Sequence, residues 1–152
     1  MPGYRQHLIG GVALYLLLLV LLREQCSSSL VAGEWLVCAL LGSLFPDIDI
    51  KSKGQQLFYT LTGIAIVGLI FSNRMHMLPV IGIGAVVPPL VRHRGLFHRA
   101  WFLVLLSGVI WIIAAFYAPE HREPLFFDVL FFLSGALSHI WLDMGIKGLF
   151  QV

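Results

Sequence analysis

Charge is the scarcest ingredient of this chain. Only 12% of its 152 residues are Asp, Glu, Lys or Arg, against about 25% in ordinary soluble domains. That shortage excludes a soluble globular protein and places the chain in the membrane class before any motif is read. Cysteine is nearly as scarce. Cys26 and Cys38 are the only two; they lack metal-type spacing and make no disulfide framework. Cys38, inside an apolar run, reads as a small packed residue. No apolar run alternates with polar residues, which argues against strands. No low-complexity tail, repeat of fixed period or basic nucleic-acid stripe is present, and no nucleic-acid partner is expected. Neither HExxH nor GxSxG occurs, so peptide hydrolysis by those devices is unsupported.

What the chain has in quantity is apolar sequence, 59% of the total. It falls into six runs: Leu8 to Leu22, Leu30 to Phe45, Leu57 to Phe71, Met77 to Val91, Ala100 to Ala118 and Leu125 to Leu142. A spanning helix needs about 20 apolar residues, with a range of about 17–25. The first four runs are somewhat short, so flanking polar residues must join the helix ends, and the third and fourth could be partly re-entrant. The pair Pro88-Pro89 cannot continue a regular helix and predicts a break there. Arg5 followed by the first run has the look of a signal peptide. The missing small-x-small cleavage site argues for its retention, which keeps His7. The expected fold is all-α: one polytopic helical bundle over 1–152, with about six transmembrane helices and both termini on the same side.

Against this background the stretch Arg92-His93-Arg94-Gly95-Leu96-Phe97-His98-Arg99 stands out, with two histidines and three arginines between apolar runs. Six crossings bring other polar motifs to its side of the membrane. The chain leaves that side after His7, returns to deliver Asp47 and Asp49, returns again with His93 and His98, and a third time with His139 and Asp143. The same side carries Arg5, Lys51, Lys53, Arg92, Arg94, Arg99 and Lys147; the other carries Arg23, Arg74 and Arg122. That imbalance predicts a cytoplasmic orientation for the motif side, although the central arginines could serve a ligand instead of topology. Glu34 falls near the opposite side and reads as interfacial.

Each motif has a chemical and a bland reading. His139 and Asp143, four apart, share one helix face and suit a metal; a simple His–Asp hydrogen bond is the alternative. Asp47 and Asp49, read as extended after Pro46, point the same way, and two converging carboxylates call for a cation or proton between them. The alternative is a solvated loop cap. His93 and His98 are five apart and need the turn at Gly95 to converge. Arg92, Arg94 and Arg99 suit a phosphate or carboxylate, or equally the headgroups of anionic lipids. His7 gains weight only from its position. Ionisable residues at membrane depth are costly and are functional candidates by default.

His7, Phe45-Pro46-Asp47-Ile48-Asp49, His93-Arg94-Gly95-Leu96-Phe97-His98 and Ser138-His139-Ile140-Trp141-Leu142-Asp143 together resemble, in order and spacing, the YdjM-like family of predicted inner-membrane metal-dependent hydrolases. Arg99 stands where that family commonly has serine, and Phe97 where threonine is common. The resemblance implies a prokaryotic inner-membrane protein. More distantly, the His/Asp order is similar to that of zinc phospholipase C, which favours phosphoester chemistry.

The expectation is therefore a membrane-embedded hydrolase with its site facing the cytoplasm. His7, Asp47, Asp49, His93, His98, His139 and Asp143 are its metal ligands. Their mixed imidazole and carboxylate donors suit one or two divalent ions, zinc first, with manganese, iron or magnesium as alternatives. Asp47, Asp49 and Arg94 are expected to act in catalysis, and Arg92, Arg94 and Arg99 to bind substrate. The expected partners are membrane lipids, among them a phosphorylated lipid substrate. A metal-binding transporter and a non-catalytic headgroup-binding protein are the alternatives.

Overall fold

A chain in lipid has no water to satisfy its backbone N–H and C=O groups, and a helix satisfies them within each segment. The computed structural model describes residues 3–48, 51–71 and 96–149, with positions 78, 81, 82, 85 and 86; no strand occurs among them. Five helices result: α1 (Tyr4–Leu21), α2 (Ser29–Leu44), α3 (Lys53–Phe71), α4 (Ala100–Tyr117) and α5 (Arg122–Leu149). All five are long and apolar enough to cross a membrane. The run Met77 to Val91 and its Pro88-Pro89 break lie, isolated positions apart, outside the described residues.

The helices gain length by recruiting polar flanks. Gln6 turns back so that its Oε1 accepts from Gly3 N at 2.7 Å, at the start of α1. Ser28 Oγ accepts from Val31 N at 3.3 Å, capping α2, and Ser52 Oγ accepts from Gln55 N at 3.1 Å, capping α3. Each side chain satisfies a first-turn donor that has no partner within the helix. Inside α5, near its end, the helix kinks at Gly145, whose φ of 66° lies in the left-handed region. A glycine tolerates that conformation without strain, so α5 is interrupted two residues after Asp143, and helix resumes beyond the kink to Leu149.

The polarity of the bundle is inverted relative to a water-soluble protein. Ile9, Val20, Ile64, Ile112 and Phe116 are exposed, whereas His7, Ser43, Thr62, Ser107, Ser138 and His139 are buried. Lipid chains offer helices little hydrophobic reason to associate, so close packing must hold them together. The tightest pairing is between α2 and α5, with α1 packed against both and α4 against α5. Gly42 of α2 faces the Phe132 carbonyl of α5, and Gly135 of α5 faces the Ala39 carbonyl of α2. A side chain at either glycine would collide with backbone. Gly11 of α1 joins the same crossing, where an added Cβ would lie 2.8 Å from Ser43 Cβ.

Two aromatic layers bracket this crossing. Trp35 stacks on Phe131 at 4.7 Å, beside Tyr15 and Ala39. Toward the other end, Phe45 meets Phe58, Phe97 and Phe132, in a cluster with Leu44, Ile48 and Ile140. His7, near the start of α1, lies 3.5 Å from Asp143, near the end of α5. The two ends of the described chain are therefore on the same side of the bundle, as the crossing count predicts. The start of α3 touches the same end, with Gly54 against Tyr4. Leu69, late in α3, packs with Ala114, Ala118 and Leu125 at the opposite end. By Leu96–His98 the chain is back beside Asp47.

Candidate metal centre

Pro46 does not begin an extended strand-like segment, as the sequence reading had it. Phe45–Asp47 forms a turn of 3-10 helix directly continuing α2. Proline is tolerated there because a first-turn N–H has no helical partner to lose. The turn aims Asp47 at the end of α5, so its convergence does not depend on alternation with Asp49. A similar short turn at Leu96–His98 presents His98 just before α4. Asp49, Arg92, His93 and Arg94 lie outside the described residues. Arg99 is exposed at the N-cap of α4.

The five described candidates form a chain of alternating imidazoles and carboxylates. His98 Nε2 donates to Asp47 Oδ1 at 3.3 Å. Asp47 Oδ2 lies 3.6 Å from His139 Nε2. His139 Nε2 lies 3.3 Å from Asp143 Oδ2, and Asp143 Oδ1 lies 3.5 Å from His7 Nε2. The rings of His7 and His139 stack at 3.7 Å, 12° from parallel. One donor atom from each of His7, Asp47, His139 and Asp143 lies within 4.8 Å of the other three. His98 stands one step outward, against the other oxygen of Asp47.

Burial decides what this arrangement requires. His7 and His139 are 1% and 0% exposed, and the Asp143 side chain is 6% exposed. His139 Nδ1 is bonded to the Ser43 carbonyl oxygen at 2.7 Å. A carbonyl only accepts, so Nδ1 carries the proton, and in neutral imidazole the lone pair sits on Nε2. Nε2 faces two carboxylates, where it either carries a second proton shared with them or offers a lone pair to a cation between them. His139 Nε2 stands 3.3 Å from Asp143 Oδ2 and 3.6 Å from Asp47 Oδ2, without full hydrogen-bond geometry to either among the described residues, so it is shared between two carboxylates and not given to one. Electron-rich atoms converging in a low-dielectric setting repel unless a proton or cation stands between them.

The donor set fits a divalent ion. Tetrahedral coordination with bonds of about 2.0–2.1 Å places neighbouring donors about 3.3–3.4 Å apart. Neighbouring donors here stand 3.3 to 3.6 Å apart, counted through both oxygens of Asp143, and with one donor atom from each residue the four lie within 4.8 Å of one another, a set that must draw together by up to about 1.5 Å to close on one ion. The backbone carbonyl on His139 Nδ1 is the usual outer partner of a metal-binding imidazole, fixing tautomer and ring orientation. Ser43 supplies it through the backbone, which no residue-type motif could have revealed. The small-residue crossing at Gly42 and Gly135 makes the approach possible.

Away from this end, Cys38 lies within electrostatic range of Glu34 on its own helix and Asp128 on α5. Both carboxylates are half-buried inside spans. The sequence reading took Glu34 for an interfacial residue and passed over Asp128, a single acid in an apolar run with no recurring pattern around it. Ser134 and Ser138 bond to carbonyls of their own helix, at Phe131 and Gly135, each at 2.7 Å; they serve packing.

These features define a class: a helical membrane protein that gathers imidazoles and carboxylates at one end of its bundle. Residues 1–148 match the model of the YdjM inner membrane protein family, and the chain belongs to that family. Its place is therefore the inner membrane. Neither the curated proteins nor the solved structures offer a match to it.

Proposed function

We propose that the protein is a metal-dependent hydrolase acting on a phosphoester at the cytoplasmic face of the inner membrane. The observation that supports this most is the convergence of the buried His139 Nε2 with carboxylate oxygens of both Asp47 and Asp143, at 3.6 and 3.3 Å. His7, Asp47, His139 and Asp143 would hold the ion, with zinc the best match to two imidazoles and two carboxylates. When bound, such an ion supplies Lewis acidity toward a phosphoryl oxygen and toward water.

The chain's own residues divide the remaining work. Asp47 is the most accessible of the four, with 36% of its side chain exposed, and it is the group that can take a proton from an attacking water. His98, donating to its other oxygen, orients it. Asp143 and His7, buried together, hold their end of the site dry and rigid. On the sequence alone, Asp49 and His93 would be donors for a second ion, and Arg92, Arg94 and Arg99 would stabilise charge on the phosphoryl oxygens. The excess of Lys and Arg on this side supports the cytoplasmic orientation.

The test is hydrolysis of phosphoester substrates by purified protein loaded with zinc or manganese, beside Asp47→Asn and His98→Gln. The proposal expects turnover that requires the ion, falls by at least about 100-fold in Asp47→Asn, and falls less in His98→Gln. Turnover unchanged in Asp47→Asn, or absent with every phosphoester in a metal-replete protein, would overturn it.

A further inference from the structure

The bundle leaves a way into the cluster. A cavity of about 180 Å³ has His7, Asp47 and His139 at its floor and Tyr4, Ser52 and Gly54 on its walls. Its mouth therefore lies between the beginnings of α1 and α3. At about 30 Å³ per water in the liquid, it holds about six waters' worth of volume, well below the 300–1,000 Å³ of pockets that enclose drug-sized ligands. One phosphoryl group with a short stub attached fits such a space. A nucleotide or a sugar diphosphate does not.

The surroundings favour an anion. Helix N-termini carry partial positive charge and ordinarily attract acidic residues into their first turns. Here α1, α3 and α4 all begin at this end, and none has an acid in its first turn. Arg5 Nε donates to the Tyr4 hydroxyl at 3.4 Å, with its guanidinium 6.0 Å from the ring centre. Lys53 immediately precedes Gly54, which packs so closely on Tyr4 that an added Cβ would lie 3.2 Å from Tyr4 Cβ. Arg5 and Lys53 both act electrostatically on Tyr4, a wall residue of an opening whose floor presents the buried His139.

Resting on the metal-site reading above, we infer that the site takes a small phosphate monoester through this mouth, with Arg5 and Lys53 receiving its charge and the cavity setting its size limit. The monoester is either the terminal phosphate of a membrane lipid or a soluble phosphate of the same size. Exposed apolar helix faces next to an interfacial mouth favour the lipid.

The experiment measures binding to zinc-loaded, detergent-purified full-length protein of dioctanoyl phosphatidic acid, glycerol 3-phosphate, dioctanoyl phosphatidylglycerol and a nucleoside monophosphate. It is repeated with Arg5→Gln, Lys53→Gln and Gly54→Leu, and metal content is measured on every sample. The expected result is binding of phosphatidic acid above the diester and the nucleotide. Arg5→Gln and Lys53→Gln should each weaken it about tenfold, and Gly54→Leu should block it, all three with zinc retained. Glycerol 3-phosphate binding as tightly as phosphatidic acid assigns the soluble source. Equal binding of the nucleotide, or no loss in any of the three variants, overturns the inference. A wild-type protein that takes up no metal instead overturns the metal-site reading.

Discussion

Gly135→Ala should disable the metal centre without touching a ligand. Gly135 lies one helical turn before His139, on the face of α5 pressed against α2. An alanine Cβ would collide with the Ala39 carbonyl and sit 2.8 Å from Ser43 N. The backbone of α2 cannot yield locally, so the two helices must separate by on the order of 1 Å to restore ordinary contact, at a cost of about 1–3 kcal/mol. The same separation stretches the bond from His139 Nδ1 to Ser43 O, now 2.7 Å, beyond the roughly 3.2 Å limit of a good N–H···O bond. Losing an outer partner of this kind typically costs about 10–100-fold in metal affinity. Gly68→Ala is the control, because no described residue lies within 4 Å of a Cβ there. The assay is zinc affinity by competition with a chromogenic chelator, with thermal unfolding followed by circular dichroism on the same samples. The expectation is a loss of at least about tenfold in Gly135→Ala and none in Gly68→Ala. A folded Gly135→Ala protein that binds zinc as tightly as wild type would refute the link between helix crossing and site.

Three further outcomes follow from the same geometry. Removing metal with a chelator should lower the unfolding temperature, since an ion present at about 1,000 times its Kd contributes about 4 kcal/mol; an unchanged melting curve would contradict this. Trp35→Ala, opposite Phe131 in the far aromatic layer, should destabilise the bundle by about 3 kcal/mol while the folded fraction keeps its metal affinity, read by denaturant titration and chelator competition. Asp128→Asn should leave metal content unchanged, because that carboxylate belongs to the opposite half of the bundle; loss of metal there would favour a transport pathway running through the membrane.

Much of this arrangement was legible because crossing parity is so restrictive. With helical runs of bilayer length, His7, Asp47, His98, His139 and Asp143 had to reach one end, and the i,i+4 spacing of His139 and Asp143 fixed their shared face. The backbone path between those motifs was less accessible. Nothing in Phe45-Pro46-Asp47 distinguishes an extended exit from one more turn of 3-10 helix, since proline is permitted in both. The Ser43 carbonyl is invisible to any reading based on side chains. Gly135 was recognisable as a small residue allowing close approach, but its reciprocal partner Gly42 depends on how α2 and α5 are registered. Asp128 escaped because one acid in an apolar run has no pattern; only its interaction with Cys38 on another helix gives it a context.

The central claim is that residues far apart in sequence hold one ion. Elemental mass spectrometry of detergent-purified wild type, Asp47→Ala and His139→Ala, each shown to be helical by circular dichroism, tests it most directly. The account predicts near-stoichiometric zinc, manganese or iron in the wild type and its loss from both variants. Wild-type protein that stays metal-free after reconstitution, or variants that keep their ion, would contradict it.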